Sequence, residues 1–323
     1  MEVIKAEGIS KSYKVYETRS SGFLASWRRK YLVKKVLDKV SFSVQSGEIV
    51  ALLGRNGSGK STLIKILTGI VSPDKGTATV LGFDPWKERM KLAYDIGVVL
   101  GAHTQVNWDL PAYDTFNFMR KIYKIPKATF NKNLHYFVNL LDLGQVYRKP
   151  VRTLSLGEQM KCNFVASMLH LPKVVFLDEP TIGVDIISKT QLKKAMLNMR
   201  SRYGTTFFLT THIVEDISIA DRVIILHKSR IAFDGTRDKL SHMFGDKRIL
   251  EIKFLPGSRI DLGIGKVIYK GVDTARLEVS GKLVKSKKFA DFLANSNISD
   301  YSVSELGLNE LLTKLYNRLD GRV

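Results

Sequence analysis

A chain of 323 residues with 44% hydrophobic content is long enough to bury one large core and a smaller one. It holds a single cysteine, which excludes an intrachain disulfide framework, and no apolar run nears the ~20 residues of a membrane-spanning helix. A net charge of +20 excludes an acidic, self-repelling chain and favours an anionic partner: nucleic acid, an anionic membrane surface or an acidic protein face.

The start, Met1-Glu2-Val3-Ile4-Lys5, lacks signal-peptide layout, so a cytosolic product is expected. Residues 1–16 read as a strand passing into a polar link, Ser10-Lys11-Ser12-Tyr13. Residues 17–35 interrupt the pattern. After Glu17 they contain no acid, and Phe23, Trp27 and Tyr31 recur at i, i+4 and i+8, one face of a helix. Arg28, Arg29 and Lys30 fall mainly elsewhere. Such a basic amphipathic helix suits an anionic lipid surface or the cytosolic end of a membrane protein. A solvated loop or a nucleic-acid arm is the alternative.

Glu48-Ile49-Val50-Ala51-Leu52-Leu53 reads as a buried strand, and Thr62-Leu63-Ile64-Lys65-Ile66-Leu67 as the first turns of a helix. Between them lies Gly54-Arg55-Asn56-Gly57-Ser58-Gly59-Lys60-Ser61-Thr62, which fits the phosphate-loop pattern G-x-x-x-x-G-K-[ST]. Glycine lets the backbone approach an anion, and the free N–H groups of the helix start face its oxygens. Lys60 can reach β- and γ-phosphates, and the Ser61 hydroxyl can ligate Mg²⁺.

Strands are expected at Val98–Leu100, Val174–Leu177, Thr206–Leu209 and Arg222–Leu226, and helices at 112–124, 129–142, 157–170, 188–203 and 213–220. This alternation over residues 36–240 marks an α/β domain. Ser155, in Leu154-Ser155-Leu156-Gly157-Glu158-Gln159, opens the helix at 157–170, either as an ordinary N-cap or as part of a second anion site. Cys162 sits in an apolar helical run and is expected to be buried. The strand Val174-Val175-Phe176-Leu177 ends in Asp178 and Glu179. On a domain with a phosphate loop, Asp178 suits the Mg²⁺ shell and Glu179 suits the attacking water.

Beyond 241–248 the character changes. Short strands (Ile249–Leu255, Gly265–Tyr269, Ala275–Val279), a helix at 285–295 and an amphipathic helix at 307–319 indicate a small α+β domain over 246–323.

The phosphate loop, Leu154-Ser155-Leu156-Gly157-Glu158, the strand ending Asp178-Glu179-Pro180-Thr181, Gly183-Val184-Asp185 and Thr211-His212 together resemble the nucleotide-binding domains of ABC transporters. The resemblance covers about residues 1–240. It implies an α/β phosphate-loop NTPase core of ABC-ATPase type with a mixed sheet. A helical subdomain around 105–170 would carry the signature, and an antiparallel β lobe near the N-terminus would hold the adenine. ATP and Mg²⁺ would be the cofactors. Two copies would dimerise head to tail, so that Ser155, Leu156, Gly157 and Glu158 complete the partner's site and Asp185 links the two. Glu179 would be catalytic, with His212 hydrogen-bonding the γ-phosphate. Tyr13 is the best match for the adenine-stacking aromatic, with Tyr16 as runner-up.

Two motifs depart from the family pattern. Leu156 and Glu158 replace residues of its commonest signature, Leu-Ser-Gly-Gly-Gln. Ala102 stands where the family's metal-proximal glutamine is expected, so either Gln105 reaches in through a longer loop, or the role is lost or filled by His103 or water. Trp108-Asp109-Leu110-Pro111, Gly183-Val184-Asp185 and the small C-terminal domain resemble exporter-type ATPases paired with a separate multi-span permease at the cytoplasmic face of the cell membrane. A soluble ABC ATPase acting on nucleic acid or ribosomes is the rival reading. The second nucleotide domain or long coiled coil of such proteins is missing from this sequence, so no nucleic acid is expected as partner.

Overall fold

Five consecutive buried residues, Ile49–Leu53, form the centre of the largest sheet, as expected for a parallel strand covered on both faces. The computed structural model describes residues 1–16, 31–101, 105–243, 246–255, 262–295 and 297–321. They form two units, Met1–Asp234 and Gly235–Val323.

The first unit begins with β1 (Glu2–Tyr16) and β2 (Tyr31–Gln45), which pair antiparallel from Glu2 opposite Gln45 to Tyr16 opposite Tyr31. Val40, Phe42 and Val44 face the core in alternation with Ser41 and Ser43, the period of a half-buried strand. β1 also pairs with a later strand, Lys75–Val80, to complete a three-stranded lobe. The polar link expected at Ser10–Tyr13 is therefore strand, with Ser10 paired to Lys75 and Lys11–Tyr13 paired to β2. Tyr31 likewise opens β2 and does not lie on a helical face. Residues 17–30, with Phe23, Trp27 and most of the expected basic helix, lie outside the described residues.

β3 (Ile49–Leu53) leads into α1 (Lys60–Leu67), and the lobe strand Lys75–Val80 is β4. After α2 (Arg89–Leu92) and β5 (Ile96–Leu100) come α3 (Ala112–Ile122), α4 (Lys127–Leu140) and α5 (Leu156–Met168). Phe116, Phe130, Phe137 and Phe164 are buried on α3, α4 and α5 and supply the core of this helical region. β6 (Val174–Asp178), α6 (Ile186–Tyr203), β7 (Thr206–Thr211), β8 (Arg222–His227) and β9 (Arg230–Gly235) follow. The six-stranded order is β5-β6-β7-β3-β8-β9. Register places Asp178 opposite Thr210 and Leu53 opposite Thr211, so these carboxyl ends share one sheet edge, where α/β folds bind ligands. The stretch 213–220, expected as a helix, is a short 3₁₀ segment, Val214–Ile219.

The second unit holds α7 (Arg237–His242), β10 (Lys247–Phe254), β11 (Lys266–Lys270), β12 (Thr274–Ser280), α8 (Gly281–Val284), α9 (Lys287–Asn295), β13 (Ile298–Glu305) and α10 (Leu308–Leu319). Its strands form an antiparallel sheet in the order β11-β12-β10-β13. Leu250, Ile252, Phe254, Leu277, Val279 and Phe289 pack into its own core. β13 has no counterpart in the sequence reading, because only Ile298 and Val303 of its eight residues are even partly buried.

Candidate active site

The turn from β3 to α1 is built on Gly59, whose φ of 112° is open to glycine and strained for other residues. A Cβ there would also meet the Val36 carbonyl at 2.5 Å. Gly54, Arg55 and Ser58 complete the turn, with Ser58 N donating to Arg55 O at 3.1 Å. Lys60 is buried, and its Nζ donates to Gly54 O at 2.8 Å.

Lys60 Nζ also lies 3.2 Å from Glu179 Oε1, and the other carboxylate oxygen, Oε2, lies 3.3 Å from His212 Nδ1. Glu179 thus bridges the phosphate-loop lysine and the histidine after β7. It reaches them from a left-handed backbone, φ 52°, a conformation of non-glycine residues that concentrates at functional sites. Its N–H is shared between Thr210 O and Thr210 Oγ1, each at 3.1 Å, which holds the turn.

Asp178 Oδ1 accepts from Ser61 Oγ at 3.1 Å and from Thr210 Oγ1 at 2.5 Å. Ser61 and Asp178 therefore present hard oxygens at one corner, a donor chemistry that fits Mg²⁺ with its remaining ligands from phosphate and water. Gln105 is not brought to this corner, contrary to expectation. Its N–H donates to Asn163 Oδ1 at 2.7 Å and its side-chain amide donates to Val98 O. These bonds fix it on a separate cavity of about 270 Å³, beside Arg89, Met119 and Tyr123. Ala102 and His103 lie outside the described residues.

A cavity of about 750 Å³ opens over the phosphate loop, lined by Asn56, Gly57, Gly59, Lys60, Ser61, Thr62, Asp178 and Glu179. Tyr13 lines it from β1, and Lys11 Nζ sits 5.7 Å from that ring's centre; the side chain of the runner-up, Tyr16, lies outside what the structure describes. Val15, Lys34 and Val36 line it too. Sequence reasoning missed those three, because the β1–β2 pairing that brings them in is long-range. It also missed Thr210, one residue past the strand that it assigned.

Ser155 caps α5 in a reciprocal capping box. Glu158 N donates to Ser155 Oγ at 3.3 Å, and Ser155 N donates to Glu158 Oε2 at 2.8 Å. Glutamate at 158 thus serves the helix start in place of the family's glutamine. A Cβ at Gly157 would lie 2.5 Å from both Asp185 Oδ2 and Ser188 Oγ, so glycine lets α5 abut the start of α6. Asp185 caps α6 by accepting from Ser188 N at 2.9 Å, and that backbone N–H is the main cause holding its carboxyl below the usual range. Leu156 lines the cavity, whereas exposed Ser155 and half-buried Glu158 do not. Cys162 is buried as expected, and burial pushes its thiol up to about 12.

The family model described as ABC transporter matches residues 37–182. An uncharacterized ABC transporter ATP-binding protein of Methanocaldococcus jannaschii is 34% identical over 62% of this chain and 72% of its own length. The daunorubicin resistance ATP-binding protein DrrA3 of Streptomyces coeruleorubidus is 28% identical over 80% of this chain and 78% of its own. ABC transporter G family member 20 of Dictyostelium discoideum is 29% identical over 69% of this chain, which spans 30% of that larger protein. A solved ATP-binding subunit of an ABC transporter superposes with a TM-score of 0.63 at 24% identity, covering 75% of this chain and 93% of that one, a likeness of fold. Among the described residues no helix is long and apolar enough to cross a membrane. The chain belongs to the ATP-binding proteins of the ABC transporter family.

Proposed function

We propose that this chain is the ATP-hydrolysing subunit of an export transporter, working as a homodimer at the cytoplasmic face of the membrane beneath a separate permease. The observation that carries the catalytic part is Glu179, held between Lys60 and His212 at 3.2 and 3.3 Å. Lys60 and the phosphate-loop N–H groups bind the phosphates, and Tyr13 stacks on the adenine. Glu179 orients and polarises the attacking water, and His212 donates to the γ-phosphate. Ser61 and Asp178 would hold Mg²⁺, which when bound neutralises charge across the β- and γ-phosphates.

Ser155 supports a role in trans, because it is exposed and does not line the cavity of its own chain. Exposed Ile182, Ile186 and Ile187 beside Asp185 supply apolar surface for such a dimer. The name of the daunorubicin resistance relative supports export. The cavity around Gln105, Met119 and Tyr123 is the region this reading assigns to the permease.

Pull-down of the chain from detergent-solubilised native membranes, followed by mass spectrometry, tests the transporter assignment. Recovery of a multi-span protein is the expected result. Recovery with ribosomes or nucleic acid, and no membrane protein, would replace this reading with that of a soluble ABC ATPase.

A further inference from the structure

We infer that Asp216 is a positioning residue for hydrolysis, tying the loop of Glu179 to the loop of His212. Asp216 is 3% exposed, on the 3₁₀ segment after β7. A buried carboxylate persists only where hydrogen bonds and a counter-charge compensate its lost hydration. Here they come from three segments. Thr181, two residues beyond Glu179, donates its hydroxyl to Asp216 Oδ2. Thr211, immediately before His212, donates to the same oxygen at 2.9 Å. Lys193 on α6 places its Nζ 3.6 Å from Asp216 Oδ1. Thr181 and Thr211 are themselves buried, at 2% and 1% exposure, so neither hydroxyl has ready recourse to solvent.

One oxygen therefore fixes the spacing of the two loops whose tips meet in the Glu179–His212 contact. The Lys193 pair extends the tie to α6, the helix that Asp185 caps. Loss of the tie frees the two tips to move apart, and a misplacement of about 1 Å can cost on the order of 100-fold in rate. ATP binding rests on the phosphate loop and Tyr13, which the tie does not touch. The signature of the role is thus a fall in kcat with little change in nucleotide affinity.

This inference rests on the catalytic reading of Glu179, so the test includes Glu179→Gln beside Thr181→Val, Thr211→Val and Asp216→Asn in the full chain. The readouts are ATP turnover, binding of a fluorescent ATP analogue and thermal melting. Thr181→Val keeps side-chain shape and leaves the Asp216–Lys193 pair in place, so it decides the matter even if Asp216→Asn fails to fold. The expected result is kcat lower by about 10-fold or more in Thr181→Val and Thr211→Val, with analogue affinity within about twofold. The double valine variant should lose less than the product of the single losses, because both act through one oxygen. If Glu179→Gln is inactive while both valine variants turn over at the wild-type rate, the inference about Asp216 is overturned and the catalytic reading stands. If Glu179→Gln turns over normally, the catalytic reading falls and takes the inference with it.

Discussion

The ammonium of Lys60 and the carboxylate of Glu179 stand 3.2 Å apart, the lysine 4% exposed and the glutamate 20%. The pair joins the phosphate loop to the end of β6, elements far apart in sequence. Removing the lysine leaves a shielded carboxylate without its cation and, on the proposed reading, takes a cation from the γ-phosphate. Lys60→Ala is expected to weaken ATP binding by at least about 30-fold, in the range for truncating one partner of a buried charge pair. Titration with a fluorescent nucleotide reads this directly.

Ser155 serves its own helix as a cap and, on the proposed reading, a partner's phosphate. Glycine separates the two roles, because Ser→Gly at an N-cap costs only a few tenths of a kcal/mol. Ser155→Gly should therefore melt close to wild type while losing most of its turnover. Equal retention of turnover and stability would confine Ser155 to capping.

Gly157→Ala introduces a Cβ 2.5 Å from Asp185 Oδ2 and Ser188 Oγ. The signature helix must then shift away from α6, at an expected cost of about 1–3 kcal/mol, the range for overpacking a tight contact. Urea unfolding measures the loss.

His170 is stacked on Tyr123 with ring centres 3.8 Å apart, and its Nε2 lies 3.0 Å from Ile96 O. Burial, the main cause, pushes the imidazole down to about 4 from an ordinary 6.5. Between these values the unfolded chain binds the proton and the folded chain does not. Stability is therefore intact above pH 6.5 and lost as pH falls toward 4, by at most about 3 kcal/mol from this group. Melting curves from pH 7 to 4.5 should show a shallower acid loss in His170→Phe than in wild type. Parallel losses in the two proteins would remove His170 from the acid response.

The legible parts of the site are those in which a short stretch carries its own geometry. The Gly54–Thr62 turn follows from glycine spacing between a buried strand and a helix, and Asp178 and Glu179 follow from an apolar run that ends in acids. The four strands β2, β4, β9 and β13 were not read from the sequence. β2 begins with half-exposed Tyr31, Leu32 and Val33, and its lysines break any alternation there. β4 offers only Ala78 and Val80 to the core. Pairing with β1 makes both into strands, and no local pattern announces it. Gln105 was misplaced for a related reason. Counting along a loop gives reach, whereas Asn163, distant in sequence, anchors the Gln105 backbone N–H and the Val98 carbonyl takes its side-chain amide. Asp216 stayed invisible because its partners, Thr181, Thr211 and Lys193, converge only in the fold.

The central claim is that Glu179 polarises the water that attacks ATP. Its most direct test is Glu179→Gln in the full chain, with turnover and mass by light scattering measured with and without Mg-ATP. Glutamine keeps the shape but removes the charge, so the account predicts retained ATP binding, turnover lower by at least about 100-fold and a stable ATP-dependent dimer. Hydrolysis at the wild-type rate would contradict it.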